Sequence, residues 1–572
     1  MRTSRMIVVV ALSVALTGAV PAGANAPAPR PVDVGRLATF YRPTPDLADL
    51  NNWRTYNAYN VVHYVSKNLP NRQPNDQTST DPVGPGNLAA CLALSNESQG
   101  CANHQLEYLS WFETAFGDVL KDFGVTFRTY QFNSGGSGPG TLASNAGRAL
   151  NKLAIVPGAD DPEDIVLIGS HYDQVDGSPF AAWDQTSGTG VMLRTAKILS
   201  DYWKSTGTRP SKTYVFAAWD AEEAGALGSK FYVGTRSNRS SENGTLPKDP
   251  NVTLTAYLNH DPCGAAYPAL YRGVPASRQP LSEKTGFIPV NVALHAPGGN
   301  TTERARMTAF NASIRPLIND LFNQIDDTLP VAPGHAAAEV LPVFVSKEEA
   351  AALGHEALEQ ESVLKVNEAG SLLGFTTDAE SFHDWVPTLN PFPDVLGPHG
   401  VSTNPESTGW SADALVWVHT PLDSFEGLVA YTSPDQTGLT YSKGLAMSWE
   451  LCSMLSAAVM LQPAQGGATP ANTDPVAFFE TPTPNRNGGT HVFNASGSYR
   501  YENATTRKLD PSLVYEWDFG DGTTAEGRTV SHTYGTYGGG AAGRAYEVTL
   551  TVTDPQTQKS DRMMMKIGTG RL

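Results

Sequence analysis

The feature that most constrains the fold is a series of short apolar runs that each end in polar residues. "DIVLIG" leads into "SHYD", "TYVFAA" leads into "WDAEE", and "TLTAYL" leads into "NHD". Between the first two runs, residues 189–203 carry apolar side chains at helical spacing. Strand-like runs that alternate with helical stretches are typical of α/β domains. The sequence therefore predicts a mixed, mostly parallel sheet flanked by helices for the larger part of the chain.

Candidate metal ligands follow each of these runs. His171 comes after the first run, Glu222 and Glu223 after the second, and Asp261 after the third. Taken alone, a histidine after a strand is usually structural, and adjacent acids commonly begin a helix. Parallel strands, however, end at one edge of a sheet, where α/β proteins bind ligands. Imidazole and carboxylate groups gathered there are the donors that zinc prefers.

Further candidates lie outside these three runs. Asp184, in "AAWDQTSGTG", precedes a Gly/Ser-rich helix start, and such a carboxylate can bridge two metal ions. His419, in "LVWVHTPLDS", follows another apolar run and can complete the shell of a second ion, with Asp423 in support. Asp173 is placed to hold the second ring nitrogen of a metal-bound His171. These residues predict a centre with room for two ions.

The two adjacent glutamates suit different tasks in such a centre. Side chains of neighbouring residues leave the backbone in different directions, so one carboxylate can bind metal while the other faces a water molecule. A hydrolytic metal site needs both a ligand and a separate proton acceptor. Glu222 and Glu223 can therefore divide these roles.

Five segments stand in the order found in a known family: "IGSHYD", "WDQTSG", "AAWDAEEAGALGS", "YLNHD" and "VHTPLDS". From about residue 151 to 426, the chain resembles the dizinc aminopeptidases and carboxypeptidases of peptidase clan MH. The resemblance implies one zinc ion on His171 and Asp261, a second on Glu223 and His419, and Asp184 as the ligand shared by both. It also implies that Glu222 is the general base, which takes a proton from a metal-bridging water and passes it to the leaving amine. "FTTDAESFHDWVPTL" (residues 375–389) resembles a later family segment that shapes the substrate pocket.

Four positions depart from the pattern of the family. Trp183 and Gln185 flank Asp184 where relatives have other residues, His260 replaces a common apolar residue, and Val418 stands where some relatives have a tyrosine. None of these changes removes a ligand. They bear on oxyanion stabilisation and on the shape of the pocket.

The N-terminus predicts export. Arg2 and Arg5 precede an apolar core over about residues 6–20, and small residues follow, which is the pattern of a secretory signal peptide over residues 1–26. That core is too short to span a membrane comfortably, and no later segment approaches a spanning length. We therefore expect an extracellular protein without a membrane anchor. The net charge of −17 argues against nucleic acid as a partner.

An even number of cysteines in an exported chain is compatible with two disulfides. Cys91 and Cys101 are close in sequence and form the more favoured pair, which leaves Cys263 with Cys452 as the second combination.

Composition changes near residue 462 and divides the chain. We predict a catalytic domain over residues 27–461 with a helical elaboration at about 265–370, a linker over 462–475, and a small β-sandwich over 476–572. The last part resembles a polycystic-kidney-disease (PKD) repeat, an immunoglobulin-like sandwich, through "HVFNASGS", "YEWDFGDGTT", "SHTY" and "YEVTLTVTD". Such a domain can contact polymeric substrate or a surface, or act only as a spacer, because fold alone does not give function.

The sequence as a whole favours a secreted zinc exopeptidase that acts on peptides or proteins, first of all an aminopeptidase. A carboxypeptidase, or an acyltransferase of the glutaminyl cyclase kind on the same fold, is the alternative. A non-catalytic binding protein is a third reading, against which the intact pair Glu222 and Glu223 counts.

Overall fold

The structure of the protein is a computed structural model. It describes residues 31–72, 104–132, 149–175, 178–233, 253–261, 290–295, parts of 310–325, 378–382, 388–393, 423–432, 441–462, 473–477, 479, 490–496, 498–503, 508–534 and 545–568. Several predicted features lie outside these residues: the signal peptide, Cys91, Cys101, Cys263, His419, Val418, and most of both the linker and the elaboration at 265–370.

A seven-stranded mixed sheet forms the centre of the larger domain. Its strands in chain order, β1 to β7, are Thr126–Phe132, Ala149–Val156, Asp161–His171, Lys212–Trp219, Thr253–Asn259, Val290–His295 and Thr388–Pro393. Their order across the sheet is β1-β2-β4-β3-β5-β7-β6. The four central strands β4, β3, β5 and β7 run parallel, whereas β1 and β2 on one side and β6 on the other pair antiparallel. The predicted α/β class is confirmed, with the parallel part at the centre.

Both faces of this sheet are buried, which explains why its strands are apolar runs without polar alternation. In β4, Tyr214 and Phe216 point into one hydrophobic cluster, whereas Val215 and Ala217 point into another. A strand buried on both faces cannot carry polar side chains along its length. Polar side chains of the site are therefore expected beyond the strand ends.

Seven helices with complete bounds are described, α1 to α7: Val34–Ala38, Ala58–Asn68, Gln105–Leu120, Gly188–Thr206, Leu227–Val233, Phe425–Thr432 and Lys443–Leu461. α4 packs on β3 and is surrounded by α2, α3 and α7. Local caps set several helix ends: Asn57 accepts a hydrogen bond at the start of α2, Ser442 does so at the start of α7, and Gly207 ends α4 with φ 63°. None of the helices in the described part of the chain is long and apolar enough to cross a membrane.

The described residues between 310 and 325 are helical as well. The buried side chains there recur every three or four residues: Phe310, Ile314, Ile318, Leu321 and Ile325. They belong to the same hydrophobic cluster as α4 and α7, so this helix packs onto the core of the larger domain.

The described strands of the C-terminal region all pair antiparallel, which agrees with the predicted β-rich fold. They are β8 to β15: Thr490–Asn494, Tyr501–Asn503, Lys508–Leu509, Val514–Asp518, Thr524–Glu526, Thr529–Thr533, Ala545–Thr553 and Ser560–Gly568. They form a four-stranded sheet, β12-β11-β14-β15, and two pairs, β13-β8 and β10-β9. The side chains of Phe479, Phe493 and Trp517 meet in its aromatic core.

One buried ion cluster also belongs to the C-terminal region. The Nε of Arg500 lies 2.7 Å from Oδ2 of Asp510, and the same guanidinium contacts the carboxylate of Asp554. Asp554 in turn accepts hydrogen bonds from the backbone amides of Gln556 and Thr557, at 2.9 and 3.2 Å. Each buried charge here is thus matched by a partner from the same domain.

The structure does not show the combination of Cys263 with Cys452, which the sequence left open. Cys452 is a free thiol, wholly buried on α7. It packs in the hydrophobic cluster of the larger domain, where a reduced cysteine behaves as a small apolar side chain. Cys91, Cys101 and Cys263 lie outside the described residues, so the pairing of Cys91 with Cys101 stays a prediction.

Candidate metal centre

The central strands deliver two predicted ligands, His171 and Asp261, and the predicted base, Glu222, to one edge of the sheet. β3 ends at His171, β5 ends two residues before Asp261, and β4 ends three residues before Glu222. His171 is wholly buried. Its Nε2 lies 3.1 Å from Oδ1 of Asp184, 3.2 Å from Oδ1 of Asp261 and 3.9 Å from Oε2 of Glu222. One ring nitrogen therefore faces three carboxylates that come from separate parts of the chain.

Two overlapping groups in this cluster have the spacing of metal ligands. One ligand atom from each of His171, Asp184 and Asp261 lies within 4.8 Å of the others, and the same holds for His171, Glu222 and Glu223. Buried imidazole and carboxylate donors at this spacing are the set that zinc takes in hydrolases. His419, the remaining predicted ligand, lies outside the described residues.

The electrostatics of the cluster show how strongly it needs a cation. Burial raises the pKa of Glu222 well above its ordinary value, and the nearby acids Asp261 and Glu223 raise it further, although His171 opposes them. Burial also raises the pKa of Asp261, again against the effect of His171. Acidic side chains that are crowded together and buried away from water stay protonated unless a nearby positive charge favours their ionised form. The donors present therefore fit a metal ion.

His171 itself acts as a partial counter-charge. Burial lowers its pKa, but the charge of Asp261 and hydrogen bonds with Asp173, Asp184 and Asp261 outweigh burial and raise the pKa well above 6.5. In this state a proton on the imidazole stands where a metal ion would supply positive charge. A metal ligand must release that proton, so metal binding at this site is coupled to proton release.

Asp173 contacts His171 but also does something that the sequence did not predict. The Nδ1 of His171 lies 3.1 Å from the backbone oxygen of Asp173 and 3.4 Å from its Oδ1. The carboxylate of Asp173 accepts hydrogen bonds from the backbone amides of Glu222, at 3.0 Å, and of Glu223, at 3.2 Å. Asp173 thus holds the turn that carries both glutamates.

Asp423 has the same function for the turn that carries Asp184. Its Oδ1 accepts a hydrogen bond from the amide of Trp183 at 2.7 Å, and its Oδ2 accepts one from the amide of Asp184 at 3.1 Å. This turn departs from helical backbone angles at Asp184 and Gln185, directly before α4. Asp423 was predicted to support His419, and that role stays a prediction.

Gln185, one of the departures from the family pattern, contacts a predicted ligand directly. Its Nε2 lies 3.1 Å from Oδ1 of Asp261 and also donates to the backbone oxygen of His260. Its Oε1 accepts a hydrogen bond from the amide of Gly188 at 3.0 Å. The packing is close enough that a Cβ on Gly188 would lie 2.3 Å from the oxygen of His260. No signal in the sequence predicted this role.

His260, a second departure, contacts the helix α7. Its Nε2 lies 2.9 Å from Oγ of Ser456 on α7. Burial lowers the pKa of His260 to about 3, so the ring is neutral at physiological pH. His260 therefore serves to join the end of β5 to α7.

Asp378 is a buried acid near the centre that was not assigned individually. It begins a short 3₁₀ turn, Asp378–Ser381, inside the segment that was predicted to shape the pocket. Burial raises its pKa to about 7; the charge of His171 opposes this shift and that of Asp261 adds to it. The only signal for Asp378 in the sequence was the Ser/Thr-Asp-x-x-x-Phe pattern around it.

Comparisons with known proteins agree with this geometry. Residues 151–292 match peptidase family M28, and residues 472–567 match the PKD domain. Leupeptin-inactivating enzyme 1 of Streptomyces exfoliatus is 29% identical over 194 residues, which are 34% of this chain and 40% of that protein. A glutamate carboxypeptidase 2 homolog of Caenorhabditis briggsae is 35% identical over 86 residues, 15% of this chain and 11% of that protein.

Among solved structures, the LapA aminopeptidase of Legionella pneumophila superposes with a TM-score of 0.36 at 13% identity, covering 73% of this chain and 75% of that one. By sequence, this chain spans less than half the length of the leupeptin-inactivating enzyme and of the carboxypeptidase homolog. The match to M28 includes His171, Asp184, Glu222, Glu223 and Asp261. The chain therefore carries a domain of peptidase family M28, a family of zinc peptidases, followed by a C-terminal PKD domain.

Proposed function

We propose that the protein is a secreted exopeptidase that uses two zinc ions and removes N-terminal residues from peptides. The observation that carries this proposal is the ring of carboxylates around Nε2 of His171, with Asp184 at 3.1 Å and Asp261 at 3.2 Å. Such a crowd of buried acids is unfavourable for folding unless a cation binds there. Its place at the carboxyl ends of parallel strands is where α/β enzymes bind substrates.

Each residue of the centre has a proposed task. His171 and Asp261 would hold one ion, Glu223 and His419 the other, and Asp184 both. Zinc bound there would polarise the scissile carbonyl and activate a water molecule. The match to M28 and the spacing of these donors support this assignment.

Glu222 is proposed to move the proton. It is buried, and Asp173 fixes its backbone amide, so the carboxylate starts from a defined position. To accept a proton from water, Glu222 must be ionised, and an opposite charge within about 4–6 Å favours that form. It would then donate the proton to the nitrogen of the scissile bond, so that the shortened peptide leaves with a neutral amine.

The polarity of the exopeptidase is tested with three forms of one peptide: free at both ends, acetylated at the N-terminus, and amidated at the C-terminus. An aminopeptidase cleaves the first and third forms and leaves the acetylated one intact. Cleavage of the acetylated form alongside failure on the amidated one would instead identify a carboxypeptidase. Cyclisation of an N-terminal glutamine without hydrolysis would favour the acyltransferase alternative.

Two further measurements test the metal and the export. Extensive treatment with a chelator should abolish cleavage, and zinc should restore it with a stoichiometry of two ions per chain. Activity that survives complete metal removal would reject the mechanism. If the predicted signal peptide is removed, the protein in the culture medium begins at or close to Pro27.

A further inference from the structure

A wholly buried arginine lies behind the metal centre. Arg72 follows α2, and its guanidinium donates three hydrogen bonds to three segments. Nε donates to the backbone oxygen of Tyr172 at 2.8 Å, Nη1 to that of Leu69 at 2.7 Å, and Nη2 to Oγ1 of Thr186 at 2.9 Å. Tyr172 directly follows His171 in the chain, and Thr186 lies two residues after Asp184.

None of these three acceptors is a carboxylate, which is unusual for a buried arginine. Burial lowers the pKa of Arg72 to about 10, whereas Tyr108, Asp173 and Asp423 act to raise it. At neutral pH the guanidinium is therefore charged. Its compensation comes partly from acids that it does not bind directly.

Those two acids are the ones that hold the ligand-bearing turns. The carboxylate of Asp173 accepts hydrogen bonds from the backbone amides of Glu222 and Glu223. That of Asp423 accepts them from the backbone amides of Trp183 and Asp184. A direct ion pair with Arg72 would engage the same carboxylate oxygens. Because Arg72 bonds to carbonyl and hydroxyl groups instead, both acids keep their oxygens for the backbone amides while they still experience its charge.

We propose that Arg72 is a positioning residue for the metal centre: through its hydrogen bonds to Tyr172 and Thr186 it holds the segment of His171 and Asp173 in register with the Asp184 turn. This inference rests on the proposed function, since the centre concerned is the one proposed to bind zinc. Residue 72 precedes the stretch matched to M28, residues 151–292. The segment before that match therefore contributes to the site.

A second buried arginine provides a matched control. Arg194, on α4, pairs directly with Glu450: Nε lies 2.8 Å from Oε2 and Nη2 lies 2.6 Å from Oε1. Its remaining hydrogen bond goes to the backbone of Phe40. Arg194 is buried in the same domain and contacts neither ligand-bearing turn, so loss of its charge disturbs the fold without acting on the metal centre.

The experiment compares Arg72→Met, Arg72→Lys and Arg194→Met in the full chain. Zinc affinity is measured by competition with a chromophoric chelator, the stability of the metal-free protein by thermal unfolding, and kcat and KM on a free peptide. We expect Arg72→Met to weaken zinc binding about 10–100-fold, the usual effect of losing a group that orients metal ligands. Its kcat should fall while KM changes little, and Arg72→Lys should recover part of both losses.

Arg194→Met should lower the melting temperature and leave zinc affinity within about twofold of the wild type. If Arg72→Met lowers stability alone, as the control does, Arg72 is merely structural and the inference fails. If Arg72→Met does not fold, Arg72→Lys decides: wild-type zinc affinity and kcat in that variant would overturn the inference, because lysine cannot make the same three-way contact. A wild-type protein that binds no zinc, or binds zinc but cleaves no peptide, would instead overturn the proposed function.

Discussion

Two clusters of buried charge in this molecule differ in how they are balanced. At the metal centre, burial raises the pKa of Glu222 and of Asp261, and that of Asp378 to about 7. In the C-terminal region, the pKa values of Asp510 and Asp554 are lowered. Hydrogen bonds from Ser512 are the main cause for Asp510; for Asp554, bonds from Thr557 and Gln556 outweigh the opposing effect of burial.

The difference separates a structural cluster from a functional one. In the C-terminal region, the chain supplies the cation, Arg500, and enough donors to keep its acids ionised. At the centre of the M28 domain, burial keeps the pKa values of Glu222 and Asp261 raised, although His171 acts to lower them. Groups whose ionisation is strongly disfavoured inside a cleft are characteristic of functional sites. An unbalanced set of acids therefore indicates where an external cation belongs.

The largest expected effect comes from the residue proposed to move protons. Glu222→Gln should lower kcat by about 10²–10⁴-fold, the contribution of a positioned general base, while zinc content stays at the wild-type value. Glu223→Gln is the matched comparison, since it removes a proposed ligand and should lower zinc content as well. Peptide hydrolysis and elemental analysis measure the two quantities. Full turnover in Glu222→Gln would show that another residue is the base.

A smaller effect is expected from the balanced cluster. Arg500→Met leaves buried acids without their cation, so we expect the melting temperature of the C-terminal region to fall by more than about 10 °C. Lys559→Met removes an exposed ion pair with Asp474 and should change the melting temperature of this region by about 5 °C or less. Calorimetry of the full chain measures both. Neither variant should alter kcat on a short peptide; a large loss of kcat in Arg500→Met would mean that the two regions are coupled.

The smallest effect is a pH dependence of opposite sign in the two regions. An acid whose pKa is raised on folding, such as Asp378, makes the metal-free protein less stable as pH rises from about 4 to about 7, by at most about 1.4 kcal/mol per pH unit. Acids whose pKa is lowered, such as Asp510 and Asp554, stabilise the fold above their unfolded pKa, and this stability is lost as pH falls below about 4.

Denaturant unfolding of the metal-free chain at several pH values, with proteolytic mapping of the region that opens, separates the two responses. Asparagine carries no charge at any pH, so Asp378→Asn should make the stability of the metal-free M28 domain depend less on pH between pH 4 and 7. If the stability of Asp378→Asn depends on pH as strongly as that of the wild type, the pH dependence comes from other acids of the centre.

The sequence was most informative where candidate metal ligands directly follow a strand. Strand ends in a parallel sheet meet at one edge, so "SHYD", "DAEE" and "NHD" were enough to expect that His171, Glu222 and Asp261 lie together. The fold class could be predicted because apolar periodicity and turn residues carry most of the information on architecture. The PKD resemblance rested on motifs such as "YEWDFGDGTT".

The supporting contacts could not be predicted, because they join distant segments through backbone groups. Asp423 and Asp184 are 239 residues apart, and Arg72 and Tyr172 are 100 apart. A carboxylate that accepts backbone amides leaves no pattern in the sequence. The free thiol at Cys452 could not be predicted for a similar reason, since counting cysteines does not reveal that this side chain lies in an apolar core.

The contact at Gly188 has a consequence for protein engineering. Any larger side chain there would press on the oxygen of His260, next to Asp261, and move the edge of the sheet that carries the donors. A mutant library that seeks new substrate selectivity should therefore keep Gly188 and Gln185 fixed.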